Sequence, residues 1–407
     1  MTAGRVLSDP APPEEAPLGA VSDVPAPLRA GYDAVLLAGF GGPEGPDDVM
    51  PFLERVTRGR GIPRERLEAV SHHYLALGGV SPINAQNRQL LGALRTELDA
   101  RGIDLQLYWG NRNSEPYIAE SLRDIHAAGH SIVLAVTTSA YSSYSSCRQY
   151  REDLAGALES TGLAGRIRIE KVRAYFDHPG FIEPIARGLV AAIAETDAAG
   201  IPRARVRLLF STHSIPVAMA ETSGPPDLRA TLEGGGAYVA QHLAAARAVL
   251  SRVAGSTLGG VADPGPLPVW SLVFQSRSGD GRVPWLEPDV NDALRAAAAE
   301  GMAAAIVVPI GFVSDHVEVV WDLDHEAADT AAELGIQMLR VATPGSDPAF
   351  VCGVVDLFEE RLRGAPAVAE TPLGPWPLGP WPPVCAAGCC PNLRRELPAV
   401  AGADSAF

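Results

Sequence analysis

Basic residues are scarce in this chain relative to acidic ones. Its 407 residues include 33 Lys and Arg against 48 Asp and Glu, a formal net charge of −15 at pH 7. Nucleic acids and anionic membrane surfaces attract positive charge, so neither is expected as the main partner. An anionic substrate must therefore meet a local group of basic residues.

Long apolar runs are also missing. No run reaches the roughly eighteen residues that a membrane-spanning helix needs, and residues 1–30 show neither a signal-peptide core nor a basic transit pattern. No membrane insertion is expected, and the cytoplasm is the expected compartment. Residues 1–30 contain six prolines among acids and alanines, which predicts a disordered leader outside the fold.

Cysteine is rare and unevenly placed. Three of the five cysteines, Cys385, Cys389 and Cys390, lie close together in a Pro-rich tail, while Cys147 and Cys352 stand apart. A disulfide framework is not expected in a cytosolic protein. Three thiols in a short turn suit an iron–sulfur cluster or another soft metal that needs one more ligand, and Cys147 is the natural fourth. Zinc is the competing metal.

Between residues 32 and 363, short apolar runs alternate with longer amphipathic ones. This alternation is typical of βα units. With four strands and five helices in each half, it predicts an α/β fold of two similar doubly wound, Rossmann-like domains whose parallel sheets face a central cleft. The predicted parts are a leader at 1–30, domains at 31–173 and 174–346, a helix at 347–364 that packs back on them, and a tail at 365–407.

The stretch 308–326 carries a ladder of acidic residues. It follows the apolar run 304–309, which predicts a parallel strand buried on both faces. If Ser314 caps a helix that begins at Asp315, three carboxylates lie on nearly one face. Carboxylates one turn apart can pass a divalent cation between them, and a buried one can accept a proton. A solvated acidic helix start is the alternative for these three residues, Glu318, Asp322 and Glu326.

A single histidine follows another predicted strand. The motif S-T-H-S-I-P at 211–216 sets His213 in a turn at the carboxyl end of that strand. A lone histidine is often structural, but this one shares its sheet edge with Glu318. The two side chains can then flank one substrate, with the histidine as metal ligand or base and the glutamate as proton acceptor.

Two glycine loops and two arginines add features of a binding site. The loop A-G-F-G-G-P at 38–43 lets the backbone approach a flat or bulky ligand, and L-G-G-V-S-P-I at 77–83 includes Ser81, which can cap the next helix. Arg58 and Arg60 suit the capture of carboxylates, although a solvated loop charge is the commoner explanation.

Taken together, these segments resemble the ferrochelatase family, in particular its coproporphyrin branch from actinobacteria, which carries a cluster-binding C-terminal tail. The resemblance covers roughly residues 32–363. The motif at 211–216 matches the family's S-A-H-S-L-P type, and G-F-V-S-D-H-V-E-V at 311–319 matches G-F-x-x-D-H-x-E-x. The segment 274–289 resembles W-Q-S-x-x-G-x-x-P-W-L-x-P, and the loop at 77–83 resembles the family's I-G-G-x-S-P-L loop at the porphyrin.

The resemblance implies two chelatase-type domains that insert ferrous iron into a porphyrin in haem biosynthesis, with release of two protons. His213 is then the active-site base and Glu318 the catalytic glutamate, both meeting the iron, while Asp322 and Glu326 form the iron path. Coproporphyrin III, with its four propionates, suits a chain without an apolar membrane-binding lip. Protoporphyrin IX is the alternative substrate; a porphyrin or haem carrier with a redox-sensing cluster, or a chelatase for another metal, is the alternative function.

The resemblance also supplies a cofactor and partners. Phe40 stands where several bacterial relatives carry a tyrosine that contacts the metal, and a phenyl ring cannot ligate iron. A 2Fe-2S cluster is expected on Cys147, Cys385, Cys389 and Cys390. The expected partners are porphyrin, ferrous iron and, transiently, enzymes of the haem pathway, with no nucleic acid. With the aromatic Tyr144 at a strand end, the predicted substrate-binding residues are Phe40, Arg58, Arg60, Ser81, Tyr144 and Trp285.

Overall fold

Two four-stranded parallel sheets form the framework of the chain. The structure is a computed structural model. It describes residues 31–59, 61–229, 231–232, 236–255, 266–277, 282–364, 367 and 380–407. The strands are β1 (Ala34–Gly39), β2 (Gln106–Asn111), β3 (Ile132–Thr137), β4 (Arg168–Lys171), β5 (Val206–His213), β6 (Val269–Gln275), β7 (Ala304–Val308) and β8 (Gln337–Arg340).

The two sheets repeat one strand order, which is β2-β1-β3-β4 in the first and β6-β5-β7-β8 in the second. Strands β1 and β7 are buried along their whole length, because central strands of a doubly wound sheet are covered by helices on both faces. The direction of winding reverses between β1 and β3, and again between β5 and β7. Ligands of such sheets bind beyond the carboxyl ends of the strands at these reversals. The predicted doubly wound α/β architecture is confirmed.

The helices follow the predicted ones closely, with ends that differ by a few residues. Two short helices, at 217–221 and 226–229, were not predicted. The helices are α1 (Pro46–Val56), α2 (Arg64–Ala76), α3 (Pro82–Ala100), α4 (Ile118–Ala127), α5 (Gln149–Thr161), α6 (Pro179–Ala198), α7 (Val217–Glu221), α8 (Pro226–Arg229), α9 (Gly236–Gly255), α10 (Val290–Ala299), α11 (Val317–Val319), α12 (Ala328–Glu333) and α13 (Pro348–Arg363).

The prediction that a helix begins at Asp315 with Ser314 as its cap is wrong. Helix α11 begins at Val317, and its N-cap residue is His316. Asp315 is held instead in the preceding loop, since its carboxylate accepts two hydrogen bonds from the guanidinium of Arg340, at 3.0 and 3.1 Å. A two-pronged ion pair of this kind fixes the backbone more strongly than a capping hydroxyl does.

Between α11 and α12 the chain forms a π-helix, Val320–Ala327. Its hydrogen bonds span five residues rather than four, so each turn is wider than an α-helical turn. Such segments are rare and are frequent at functional sites. A second one, Tyr144–Arg148, precedes α5.

Helix α13 packs back on the rest of the chain and forms charge pairs with it, some partly exposed and one buried. Arg101, the residue that follows α3, bonds Asp356 at 2.5 Å and Glu359 at 2.8 Å, and the buried guanidinium of Arg173 bonds Glu360 at 2.9 Å. One apolar cluster includes residues of both sheets, such as Leu37 of β1 and Phe210 of β5. The boundaries at 31–173, 174–346, 347–364 and 365–407 stay predictions, and the leader at 1–30 lies outside the described residues.

No helix in the described part of the chain has the length and apolar character needed to cross a membrane.

Gly311 is predicted to be required for the close contact between the loop after β7 and Thr212 of β5. A Cβ at this position would overlap the side chain of Thr212, so Gly311→Ala should lower the free energy of unfolding by about 2 kcal/mol, the scale of overpacking. Gly92→Ala is the control, because Gly92 lies in α3 with open space around it and alanine favours a helix. Urea unfolding measures both, and equal stability of the two variants would contradict the prediction.

Candidate functional site

His213 and Glu318 meet at the strand reversal of the second sheet. His213 is the last residue of β5, and Glu318 lies in α11, which follows the loop after β7. The distance from His213 Nε2 to Glu318 Oε2 is 3.6 Å, and the two side chains are 33% and 43% exposed. The structure therefore brings together the two residues that the sequence predicted to flank one substrate.

The backbone selects which nitrogen of His213 faces Glu318. Nδ1 lies 2.5 Å from the carbonyl oxygen of Ser214, and a carbonyl can only accept a hydrogen bond, so Nδ1 carries the proton. Burial acts to lower the pKa of His213, but the Glu318 carboxylate outweighs it and the net pKa is raised. The imidazole is thus a stronger base than usual, with Nε2 directed at Glu318.

Asp322 continues the acidic ladder in a desolvated position. Burial, with the neighbouring carboxylates Glu318 and Glu326, raises the pKa of Asp322 to about 7, although a hydrogen bond from the Ser276 hydroxyl opposes the shift. Both other carboxylates are therefore close enough for their charges to act on Asp322. Ser276 holds this position at a positive φ of 60°, a conformation that costs energy in a residue other than glycine.

Glu326 carries the ladder to the surface. It is exposed, and its Oε1 accepts a 2.9 Å hydrogen bond from the indole of Trp321. The same indole stacks on the ring of His73 from α2, with ring centres 4.3 Å apart. The ladder thus runs from solvent to His213, and its outer end is fixed against the first half of the chain.

A hydrogen-bonded network lies behind His213. The hydroxyl of Tyr238 in α9 donates to the carbonyl oxygen of His213 at 2.8 Å and lies 2.9 Å from the hydroxyl of Thr212. His242 bonds Thr212 at 2.8 Å and stacks on Tyr141, whose own hydroxyl donates to the carbonyl of Ile310 beyond β7. Burial lowers the pKa of His242 to about 3, so this network is uncharged at neutral pH.

A cleft opens at the carboxyl edge of the first sheet. It has a volume of about 730 Å³, and Phe40 and Arg58 both line it, together with Arg395 of the tail. Arg58 is exposed. Phe40 is covered on one side by the guanidinium of Arg112, 5.6 Å from the ring centre. Two of the predicted substrate-binding residues therefore share a basic cleft.

Aromatic side chains connect this cleft to the ladder. Phe40 packs edge-on against Phe52 at 6.1 Å, and Phe52 contacts Tyr74 at 5.8 Å. Tyr74 lies close enough to Glu318 and Asp322 that, after burial, their charges further raise its pKa. The cleft and the acidic ladder are thus two ends of one packed region.

Of the other four predicted substrate-binding residues, one lies near His213, two lie elsewhere and one is outside the described residues. Trp285 pairs with Pro216, just beyond His213, through a β-bridge. Ser81 is at the N-cap position of α3 but makes no capping bond; its side chain is buried, close to Gly42. The hydroxyl of Tyr144 bonds Glu152 and Asn392 of the tail. Arg60 lies outside the described residues.

The four predicted cluster cysteines form a continuous chain of contacts. Cys147 lies in the π-helix at 144–148, and its contact with Cys385, together with burial, raises its pKa. Cys385 in turn contacts Cys389, and the sulfurs of Cys389 and Cys390 are 3.6 Å apart. Cys390 adopts a left-handed φ of 51°, a conformation that is uncommon for a residue other than glycine.

Two features of the structure fit a two-iron cluster at this thiol group: the spacing of two sulfurs and an unpartnered guanidinium nitrogen. Across the described ranges, no group of three or more His, Cys, Asp or Glu side chains is arranged to hold a metal ion, but a 2Fe-2S cluster needs only two thiolates on each iron. Metal–sulfur bonds of about 2.3 Å in a tetrahedron separate two sulfurs by roughly 3.8 Å, close to the Cys389–Cys390 distance. The buried guanidinium of Arg151 beside these thiols also has an unpartnered nitrogen, Nη1, as expected where an anionic group belongs.

Known proteins similar to this chain show its family. The ferrochelatase family model matches residues 32–362. The chain belongs to the ferrochelatase family. It is 54% identical over 382 residues to a coproporphyrin III ferrochelatase of Leifsonia xyli subsp. xyli, covering 91% of this chain and 94% of that protein.

Other relatives and solved structures complete the comparison. A coproporphyrin III ferrochelatase of Streptomyces griseus subsp. griseus is 51% identical over 391 residues, covering 94% of this chain and 98% of that protein. The crystal structure of the sirohydrochlorin chelatase SirB from Bacillus subtilis subspecies spizizenii, in complex with cobalt, matches with a TM-score of 0.44 and 11% identity over 82% of this chain and 97% of that chain.

Several residues of this ferrochelatase site escaped the sequence prediction. Tyr238 and His242 lie in an alanine-rich helix, where nothing in the local pattern marks them as supports of His213. Ser276 had a signal, since it belongs to the F-Q-S motif at 274–276, but the pattern did not pair it with Asp322. Such contacts join residues from 25 to 46 positions apart, so spacing along one helix or strand does not predict them.

Tyr238 is predicted to position His213. Tyr238→Phe removes the donor to the His213 carbonyl and should slow iron insertion about tenfold, with little change in the KM for porphyrin, because the ring that carries Nε2 is less well fixed. Tyr108→Phe, at the far side of the first sheet, is the control. A KM that rises while kcat stays constant would argue against this role.

Asp322 is predicted to lower the free energy of unfolding at neutral pH while it supports iron insertion. Its raised pKa means that the folded state binds the proton more tightly than the unfolded state does, so stability falls as pH rises from about 4 to about 7. Asp322→Asn should therefore increase the free energy of unfolding by about 1 kcal/mol at pH 8 and by less at pH 5, while slowing iron insertion. Denaturant unfolding at the two pH values measures this; a variant less stable than wild type at pH 8 would refute it.

Proposed function

We propose that this chain inserts ferrous iron into coproporphyrin III to give coproheme in haem biosynthesis, with release of two protons. The observation that carries the proposal is the approach of His213 Nε2 to Glu318 Oε2, 3.6 Å apart at a strand reversal. Family membership and the coproporphyrin III ferrochelatases at 54% and 51% identity support the substrate.

The reaction requires a base on one face of the macrocycle. The two inner N–H groups of a porphyrin lie in the ring plane, so iron enters only as these protons leave. His213 accepts a proton at Nε2, because Nδ1 already donates to Ser214. Glu318 lies next in line and can take that proton from the imidazole.

The acidic ladder then connects this pair with solvent. Asp322 has a pKa of about 7, so it can both accept and release a proton near neutral pH. We propose that the ferrous substrate moves inward along Glu326, Asp322 and Glu318 while protons move outward. Two protons leave for each Fe²⁺ that enters, so the charge of the ladder is the same at the beginning and the end of the cycle.

The basic cleft suits the propionates of the substrate. Arg58 is exposed at the cleft that Phe40 lines, and a guanidinium can bind a carboxylate through two parallel hydrogen bonds. We propose that Phe40, Arg58, Arg60, Ser81, Tyr144 and Trp285 contribute to the porphyrin site. Phe40 offers only an apolar face, so a metal ligand on that side has to come from another group.

We further propose that Cys147, Cys385, Cys389 and Cys390 hold a 2Fe-2S cluster. When bound, the cluster supplies one-electron redox chemistry and cross-links the tail to the π-helix at 144–148. The chain's own contribution is to bring three tail thiols to Cys147. Transient contact with other haem-pathway enzymes and a cytoplasmic location stay predictions.

The first experiment is anaerobic incubation of the purified protein with ferrous iron and either coproporphyrin III or protoporphyrin IX, following the loss of free-porphyrin fluorescence. We expect rapid loss that favours coproporphyrin. His213→Ala should abolish insertion and Glu318→Gln should slow it at least about a hundredfold, the scale for loss of a general base. Because Glu318 raises the pKa of His213, the acid limb of the residual activity of Glu318→Gln should move to lower pH.

Matched controls are available on exposed helical sites. His126→Ala at the end of α4 and Glu333→Gln in α12 alter exposed side chains of the same kinds and should leave the rate unchanged. Porphyrin binding without metallation would favour the carrier function instead, and near-normal turnover by His213→Ala would remove the histidine from the mechanism.

A further inference from the structure

Arg151 is a fully buried cation beside two of the four thiols, Cys147 and Cys385. It lies one helical turn beyond Cys147, and its side chain is 0% exposed. Nε donates to the carbonyl oxygen of Val400 at 2.6 Å, and Nη2 donates to Asp404. Nη1 is buried and has no hydrogen-bond partner in the described part of the chain. A buried guanidinium with an unused donor is costly unless an anionic group lies nearby.

The tail brings Cys385 to this guanidinium. Cys385 forms a β-bridge with Gly402, and its carbonyl accepts a 2.9 Å hydrogen bond from the amide of Ala403. Gly402 lies directly on the guanidinium of Arg151 and leaves no room for a Cβ. Arg151 and Cys385 are therefore adjacent through one short piece of backbone.

Positive charge around the thiols exceeds negative charge. Lys171, at the end of β4, is buried, with Nζ bonded to the Val172 carbonyl at 2.7 Å, and its charge acts on the Cys147 thiol. Asp404 is shared between Arg151 and Arg148, which also pairs with Glu152. Three cations thus face two carboxylates, and protonated thiols do not offset the excess. A cluster with four thiolate ligands carries a net negative charge that does.

We propose that Arg151, assisted by Lys171, sets the reduction potential of the cluster held by the four cysteines. The inference rests on the cluster assignment made under the proposed function. One-electron reduction adds a negative charge to the cluster, so a buried cation stabilises the reduced form and raises the potential. The backbone N–H of Gly224, which donates to the Cys390 sulfur at 3.1 Å, acts in the same direction.

The test is a spectroelectrochemical titration of the full-length protein, purified anaerobically and analysed for iron and acid-labile sulfide. Arg151→Met should shift the midpoint potential to more negative values, and Arg151→Lys, which keeps the charge, should restore most of the shift. Asp404→Asn is the decisive comparison. It weakens the same Arg151–Asp404 contact, because a neutral amide replaces the carboxylate acceptor, but it removes a negative charge, so it should shift the potential to more positive values.

A purely structural role gives a different pattern. If Arg151 only docks the tail, Arg151→Met and Asp404→Asn should change the potential in the same direction, and that result would overturn the inference. Should Arg151→Met lose the cluster, Lys171→Met tests the same charge effect, with a shift to lower potential expected and an unchanged potential contradicting it. Wild-type protein without iron and sulfide would overturn the cluster and this inference together, while the fluorescence assay judges iron insertion independently.

Discussion

The pairing of β5 with β7 is the constraint on which the candidate site depends. The two strands are hydrogen-bonded neighbours in register, Phe210 beside Val308, and the amide of Gly311 extends this pairing to Ser211 at 3.2 Å. Parallel strands that are adjacent in a sheet end at the same edge. His213 and the loop toward Glu318 therefore emerge side by side, and the close packing of Gly311 on Thr212 sets how near they come.

A second constraint is the cost of keeping carboxylates together under partial burial. Asp322 is desolvated between two other acids, and its pKa rises to about 7 as a result. The surrounding structure holds it there through Ser276, whose φ of 60° is itself unfavourable. Functional sites commonly contain such locally unfavourable features, which the remaining core has to offset.

The C-terminal tail depends on a different interaction. Its described residues, 380–407, contain neither a helix nor a strand, and backbone pairing within them is limited to short pieces such as the bridge between Cys385 and Gly402. Side chains of the segment 144–152 bond the tail, through Tyr144, Arg148, Arg151 and Glu152. Trp381 of the tail is also buried in the main apolar cluster. The same segment carries Cys147 and leads into α5, which lines the basic cleft. The tail, the thiols and the cleft thus all involve the segment 144–152 and the helix that it begins.

The sequence alone determined the features that depend on local periodicity and motif. Apolar runs predicted the strands, amphipathic runs predicted nearly all the helices, and the histidine and acidic motifs predicted the pair that the sheet brings together. The exact start of the helix before Glu318 was not predictable, because Asp315 is withdrawn from the helix by Arg340, 25 positions away. Only the tertiary structure decided the surroundings: Tyr238 behind His213, Ser276 on Asp322, and Arg151 between Cys147 and the tail. Each of these contacts joins segments that no repeating pattern relates, and burial, which sets the pKa values, exists only once those segments have packed.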